Sequence, residues 1–199
     1  MKKLAFFIMM ALTVTACCKQ ADTQSLQEAA LEVINTRVSV RQFTGDKLTE
    51  AQIETILRAG MSAPTAVNKQ PWAFVVVDEQ EVLDRLNEAL PSSRIGNGAS
   101  HAIVVCGDMQ KALEGEAQGY WVEDTSAATE NMLLAAHALG LGSLWVGVYP
   151  IMEKVNAVSQ IIGSPEHIVP MCLVVLGVPN EQPAVKDKFK AENIHFNRW

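Results

Sequence analysis

The sequence predicts an α/β (α+β) fold, a three-layer sandwich with a small mixed sheet, flanking helices and one buried central helix. Two observations predict it. Several short apolar runs do not alternate with polar residues, which indicates strands covered on both faces. Between these runs lie longer segments with helical spacing and helix-capping signals. The predicted strands are residues 73–77, 102–106, 144–148 and 171–177.

Three amphipathic helices are predicted from capping signals. They begin at Ser25, Thr49 and Asp78, and each of these residues is followed three positions later by Glu or Gln. In that pattern the first side chain and the later one cap each other's backbone N–H groups. Gly60 stands where a glycine after the second helix is expected, and Pro91 stops the third.

The most apolar helix is predicted at residues 125–139, with Asp124 as its N-cap and Gly140 after its last residue. Because apolar side chains occur on nearly every side, this helix belongs inside a core rather than on a surface. A further helix is predicted at residues 153–162. The elements do not follow the strict β-α-β order of a Rossmann domain.

The N-terminal residues indicate an export signal. Lys2 and Lys3 precede an apolar run, residues 4–16, that is too short to span a bilayer but has the length of a signal-peptide core. The small residue Ala16 directly precedes Cys17, as in the bacterial lipobox, where the cysteine is lipidated. The alternative is a buried N-terminal helix with a chance cysteine. We therefore expect an exported lipoprotein of the bacterial cell envelope, with a signal peptide at 1–16, a lipidated tether at 17–24 and one domain at 25–199.

Charge and cysteine content exclude some classes of partner. The formal net charge is −6, which argues against nucleic acid because nucleic-acid affinity comes mainly from neutralising phosphates. The four histidines show no metal-ligand spacing with one another or with cysteine, so no metal is expected. Cys106 and Cys172 both lie in predicted strands, where free cysteine behaves as a small apolar residue. The sequence leaves open whether they form a disulfide.

A phosphate site is predicted outside the usual motifs. The chain contains no GxGxxG after a strand, no P-loop and no GxSxG. Arg37, Ser39 and Arg41 alternate with valines, so in an extended segment their side chains point to one side. Two guanidinium groups and a hydroxyl suit a phosphate monoester, since arginine donates bidentately to phosphate. The alternative is an edge strand with a solvated face.

A second basic pair lies near the C-terminus. Lys186 and Lys188 have the same spacing of two residues and could add charge to the phosphate site. Taken alone, such a pair is ordinary surface.

The second candidate segment is the loop at residues 62–72. Pro64 and Pro71 restrict their own backbones and those of the preceding residues, so this loop is stiffer than its polarity suggests. Asn68 offers both a donor and an acceptor, which suits the edge of a flavin or pyrimidine ring. The alternative is a structured connection into the next strand.

The third candidate segment, residues 140–150, joins the apolar helix to a strand. Gly147 lacks a side chain, so a planar ligand could approach its backbone closely. The alternative is a strand with an ordinary glycine bulge.

These segments, in this order, resemble the nitroreductase family of flavoproteins, and the resemblance extends from about residue 35 to residue 199. It implies the family's fold, a homodimer and an FMN at each subunit interface. Two departures are Val146, where many relatives carry an acidic side chain, and Val38, which replaces a residue that is often basic. The FMN contacts implied by the resemblance are Arg37, Ser39, Arg41, Pro64, Thr65, Asn68, Val146, Gly147, Lys186 and Lys188.

The resemblance also implies an activity. FMN accepts a hydride at N5 from a reduced donor, NADH or NADPH, and passes it to a nitroaromatic, a quinone or a similar acceptor in a ping-pong cycle. No catalytic side chain is required. Export raises a difficulty, because nicotinamide donors are cytosolic. The alternatives are a flavin-binding lipoprotein with a carrier or sensing role and no turnover, and a flavin-free lipoprotein that binds some other anionic solute.

Overall fold

The computed structural model describes residues 25–199. These residues divide into an N-terminal unit that ends at Arg37 and a larger unit, Val38–Trp199. In the first unit, residues 25–36 form a helix, α1, as predicted. The predicted signal peptide and lipidated tether, residues 1–24, lie outside the described residues.

The larger unit is built on a four-stranded sheet with the strand order β1-β2-β4-β3. The fold class that the sequence predicts, a small sheet flanked by helices, is confirmed. Every predicted strand is present, and each begins slightly before its predicted start. The strands are β1 (Trp72–Val77), β2 (His101–Asp108), β3 (Gly142–Gly147) and β4 (Ile168–Gly177).

All neighbouring strands of this sheet run antiparallel. The prediction of a mixed sheet was therefore wrong in this detail. The last residue of β1, Val77, pairs with Ala102 near the start of β2, so the chain between them begins and ends at the same end of the sheet. β2 and β3 do run in the same direction, but β4 lies between them.

Four further helices follow α1: α2 (Glu50–Met61), α3 (Gln80–Ala89), α4 (Tyr120–Ala138) and α5 (Met152–Ile162). The capping box predicted at Thr49 is present at the start of α2. The cap predicted at Asp78 is not, because α3 begins one residue later, with Glu79 at its N-cap position. No helix among residues 25–199 is long and apolar enough to cross a membrane.

α4 starts at Tyr120, earlier than predicted, because a 3-10 helix at Gly115–Gly119 leads directly into it. Asp124 therefore lies inside the helix, and its predicted N-cap role was wrong. One face of α4 is fully covered, whereas the other is half-exposed or exposed, so the helix is buried on one side only. The buried residues are Trp121, Asp124, Thr125, Ala128, Thr129, Met132, Leu133 and Ala136.

The sheet has an apolar core on each face, as its non-alternating strands predict. Successive residues of a strand point to opposite faces, so Val104 of β2 joins one core while Ile103 and Val105 join the other. α3 and α5 cover the first face, and α2 and α4 cover the second. The helix residues buried in these cores include Leu83, Leu86, Val155 and Val158 on the first face, and Ile53, Ile56, Met132 and Leu133 on the second.

The two cysteines of the sheet are free. Cys106 lies in the core on one face and Cys172 in the core on the other, so their side chains point away from each other. This geometry excludes the disulfide that the sequence left open. Burial raises the pKa of each thiol to about 12, which keeps both protonated and unreactive at neutral pH.

Two glycines are required by close packing. Gly60 does not follow α2, as predicted, but lies within it, where an added Cβ would overlap the side chain of Met132 in α4. Gly107 of β2 faces the indole ring of Trp121, which leaves no space for a Cβ. Both glycines bring α4 close to its neighbours.

We predict that Gly107→Ala lowers the free energy of unfolding by about 1–3 kcal/mol, because the Trp121 ring cannot move aside as a flexible chain could. Gly119→Ala is the matched control, since an added Cβ there meets no atom within 4 Å. The control should change stability by less than about 0.5 kcal/mol. Urea unfolding followed by circular dichroism measures both, and equal stabilities for the two variants would contradict this account of the packing.

Candidate functional site

The segment that follows α1, residues 38–44, is extended and is hydrogen-bonded both to β3 and to the residues that follow β4. The backbone N–H of Val40 donates to Ser143 O on the free edge of β3 at 3.0 Å. On the other side, Thr44 N donates to Val178 O at 3.0 Å, and Asn180 N donates to Gln42 O at 2.9 Å. The extended conformation that the sequence predicts is confirmed. We call residues 38–44 the anchor segment.

Phe43 is the apolar anchor of this segment and is 5% exposed. It packs against Gly142 and Gly177, which are paired across β3 and β4. A Cβ on Gly177 would lie 2.8 Å from the Phe43 ring, and one on Gly142 would lie 3.0 Å from it. The two glycines therefore form the seat of the ring, and a side chain on either would push the anchor segment away from the sheet.

The seat of Phe43 determines where the predicted phosphate ligands lie. Val40 and Phe43 are buried, Ser39 is half-buried and Arg41 is exposed, so the polar side chains are left on the accessible side. The Arg41 guanidinium contacts only its own segment in the hydrogen bonds described, donating from Nη1 to Ser39 O at 3.3 Å. It can therefore turn toward a ligand. Arg37 is the last residue of the N-terminal unit.

Two residues that support the anchor segment were missed by sequence reasoning. Asn97 Nδ2 donates to Arg41 O at 2.9 Å, and Phe43 N donates to Asn97 O at 3.0 Å. The Glu181 carboxylate accepts from Arg41 N at 2.5 Å and from Gln42 N at 3.2 Å. Both residues contact partners that are distant in the chain, so local sequence patterns could not indicate these contacts. The one local signal was the pair of glycines on either side of Asn97, which is typical of a turn.

The loop before β1, residues 62–71, holds an unusual backbone. Val67, Asn68 and Gln70 have φ values of 44°, 57° and 50°, a left-handed region that β-branched residues rarely adopt. The side chains of Val67 and Asn68 are exposed. Such strain concentrates at functional sites, where surrounding contacts maintain it. The stiffness predicted from the prolines is therefore accompanied by strain in the residues between them.

Local hydrogen bonds and one distant side chain maintain this loop. Gln70 N donates to Thr65 Oγ1 at 3.0 Å, and Gln70 Nε2 donates to Asn68 Oδ1 at 3.1 Å. Ala66 N donates to the buried carboxylate of Asp124 at 2.8 Å. The predicted contact residues Pro64, Thr65 and Asn68 thus lie on a shaped surface.

The third candidate segment ends β3. Val146 is buried, whereas Gly147 is exposed, and an added Cβ on Gly147 would meet no atom within 4 Å. Residues of β3 pair with β4 in continuous register, so the alternative of a glycine bulge here is wrong. The irregular pairing in this sheet lies instead between β2 and β4, at Val105 and Cys106. The backbone of Gly147 is open to a ligand.

The sheet keeps the first and second candidate segments apart within one chain. The anchor segment lies beside β3 at one edge, and the strained loop leads into β1 at the other. Three strand spacings separate these edges, roughly 14 Å. The segments also lie at opposite ends of the sheet. Gly142, beside the anchor segment, pairs with Gly177 at the end of β4, whereas Trp72 pairs with Gly107, which in turn pairs with Val169 near the start of β4. Along β3, by contrast, Ser143 and Gly147 are aligned on one edge, roughly 13 Å apart.

Lys186 and Lys188 are exposed on the C-terminal arm, residues 178–199. The arm is attached to the anchor segment through Glu181, and both lysines follow Glu181 by only a few residues of chain. No cluster of three metal-ligating side chains was found within residues 25–199.

Comparison with known proteins identifies the family of the chain. The family model described as "Nitroreductase family" matches residues 34–94 and 91–178. The chain belongs to the nitroreductase family.

The match to this nitroreductase-family chain extends over nearly the whole length of several relatives. A relative from Archaeoglobus fulgidus, provisionally named an NADH dehydrogenase/NAD(P)H nitroreductase, is 42% identical over 86% of this chain and 99% of its own. A solved structure from Bacteroides thetaiotaomicron with the same provisional name is 38% identical, with a TM-score of 0.81 over 86% and 98% of the two chains. An FMN-dependent nitroreductase from Clostridium difficile is 25% identical, with a TM-score of 0.77 over 85% and 99%.

Proposed function

We propose that this member of the nitroreductase family is an FMN-dependent NAD(P)H oxidoreductase whose cofactor lies along the free edge of β3. The observation that carries the proposal is the alignment on this edge of two features that suit opposite ends of FMN. The Ser39 and Arg41 side chains of the anchor segment lie beside the start of β3. The open backbone of Gly147 lies at its end.

Each of these features fits one part of FMN. Arg41 can donate two parallel N–H groups to a phosphate, and the Ser39 hydroxyl can add a third donor. Lys186 and Lys188, a few residues after Glu181, supply further positive charge at that end. At the other end, the isoalloxazine ring can lie against Gly147, because no side chain blocks the approach. The backbone N–H of Gly147, which faces the same edge of β3 as the Ser143 backbone, is the proposed donor to the ring edge, whereas the N–H of Val146 faces β4.

The protein supplies position and hydrogen bonds to this reaction rather than acid or base groups. When bound, FMN supplies hydride transfer between a reduced nicotinamide and an acceptor such as a nitroaromatic or a quinone. Arg41 and Ser39 fix one end of the cofactor, and the end of β3 fixes the other. Donor and acceptor then use the same site in turn, which gives a ping-pong cycle.

We also propose that the site is completed by a second copy of the chain. The strained loop carries Pro64, Thr65 and Asn68, yet it lies at the opposite edge and end of the sheet from Arg41. A homodimer would let this loop meet the β3 edge of the partner. A second copy would also bury apolar side chains that are exposed on the C-terminal arm, namely Val185, Phe189, Ile194, Phe196 and Trp199.

The proposed cofactor site predicts a specific effect of Arg41→Ala. The variant should bind FMN roughly tenfold to hundredfold more weakly, because it loses charge-assisted hydrogen bonds to the phosphate. Titration of apoprotein measured by quenching of FMN fluorescence gives the dissociation constant. Arg85→Ala, which removes an exposed arginine of α3, is the matched control and should leave it unchanged. Equal FMN affinity in the Arg41 variant and the control would contradict the phosphate assignment.

Turnover is tested with the holo-protein under anaerobic conditions. NADH or NADPH should bleach the yellow flavin, and a nitroaromatic or a quinone should restore the colour. A flavin that neither donor reduces would argue against the oxidoreductase and for a carrier or sensor.

The composite site is tested by mixing two variants. Arg41→Ala disables the phosphate end and Asn68→Ala weakens the loop, so each homodimer has two impaired sites. In a heterodimer formed by unfolding and refolding the mixture, one site carries both changes and the other carries neither. FMN binding and turnover should therefore recover to about half of the wild-type level in the heterodimer fraction. No recovery in an isolated heterodimer would show that each site belongs to a single chain.

We propose, finally, that residues 1–16 direct export and that Cys17 is lipidated, which rests on the lipobox pattern alone. Full-length protein expressed in a bacterial host should then fractionate with membranes, and Cys17→Ser should release it. Mature wild-type protein found solely in the cytosol would contradict this part of the proposal. If export is correct, the donor in the cell must be a reductant available outside the cytosol.

A further inference from the structure

Asp124 is a buried carboxylate in α4, a helix whose buried face is otherwise uncharged. It is 6% exposed, and its Oδ1 accepts a hydrogen bond from Ala66 N at 2.8 Å. On the same buried face of α4 lie Trp121, Thr125 and Ala128, none of which is charged. Burying a carboxylate costs desolvation free energy, which the hydrogen bond from Ala66 N offsets in part. A role for this hydrogen bond would explain why a charged residue occupies the position.

The contact stabilises the first residue of the strained turn. Ala66 begins the 3-10 helix at Ala66–Asn68, and Val67 and Asn68 directly after it have positive φ values. Within the loop, the backbone hydrogen bonds are donated by Asn68 and Lys69 to Thr65 and Ala66. The N–H of Ala66 is half-buried and points away from these, toward α4. A charged acceptor forms a stronger hydrogen bond than a neutral one, which suits a backbone that must be held in an unfavourable conformation.

The helix that carries Asp124 is firmly held. α4 packs against α2 and against the sheet, and Met132, Leu133 and Ala136 are buried in the core between them. Asp124 therefore attaches the loop to the interior of the protein, not to another surface segment. The same helix leads, through residues 139–141, into β3 and its open end at Gly147.

We infer that Asp124 is a positioning residue: through Ala66 it fixes the backbone of the strained loop in the shape that contacts the flavin. This inference rests on the proposed FMN site. The loop presents Pro64, Thr65 and Asn68, and without an acceptor for Ala66 N the residues Val67 and Asn68 relax toward ordinary backbone conformations. The flavin then loses a preformed surface and must order the loop when it binds, which weakens binding.

The test compares three variants. Asp124→Ala removes the acceptor, whereas Asp124→Asn keeps an oxygen that can still accept from Ala66 N. Asn131→Ala is the matched control, because Asn131 lies on the same helix and its Nδ2 donates to Ala59 O of α2 at 3.0 Å, away from the loop. All three are compared with wild type by thermal unfolding, so that a general loss of stability is measured separately.

The first measurement uses apoprotein, so that it does not depend on FMN. Hydrogen exchange by mass spectrometry on the peptide spanning residues 62–72 should be at least about tenfold faster in Asp124→Ala. It should stay near wild type in Asn131→Ala and rise only slightly in Asp124→Asn, whose neutral oxygen accepts a weaker hydrogen bond than the carboxylate does. Unchanged exchange of this peptide in Asp124→Ala would overturn the inference.

The second measurement is the FMN dissociation constant. It should rise roughly tenfold in Asp124→Ala and less than about threefold in Asp124→Asn and Asn131→Ala. An equal rise in Asp124→Ala and Asn131→Ala at equal loss of stability would reduce Asp124 to a structural residue and overturn the positioning role. If wild type itself binds no FMN, the proposed function fails, and the exchange measurement still decides whether Asp124 shapes the loop.

Discussion

The packing of the Phe43 ring on two facing glycines is the contact on which the proposed site depends. Gly142 and Gly177 are paired across β3 and β4, and the absence of side chains there lets the ring lie directly on the backbone. Burying a phenylalanine contributes about 1.5–3 kcal/mol, enough to hold a segment that belongs to no strand. Asn97 and Glu181 then satisfy the backbone groups around Arg41, so the guanidinium is left on the accessible side.

The sheet imposes a second constraint, because its order separates the other parts of the site. The central strands β2 and β4 are buried on both faces, so ligands are restricted to the edges and ends. The anchor segment occupies one edge at one end, and the strained loop lies at the opposite edge and the opposite end. This separation is what motivates the proposal that two copies of the chain complete the site. The exposed apolar arm, which lacks a partner surface within the described larger unit, is consistent with such an assembly.

Local patterns in the sequence predicted most of the elements. Thr49 and Gln52 cap each other as their spacing indicates, and the apolar runs became the four strands. The failures involve residues whose partners are distant in sequence. Gly60 has the spacing of a helix-ending glycine, but Met132 of another helix decides its role. Asp124 has the appearance of a cap, yet it binds a loop 58 residues away. Glu181, 140 residues from Arg41, carried no local signal at all.

The central claim is that one FMN lies along the β3 edge of one protomer and is covered by the loop of another. A crystal structure of the protein with FMN tests it most directly. We expect the phosphate within hydrogen-bonding distance of Ser39 and Arg41, and the ring beside Gly147 of the same protomer, with residues 64–68 of the second copy against it. A structure in which the phosphate lies away from Arg41, or in which the ring contacts residues 64–68 of the same chain, would contradict the account.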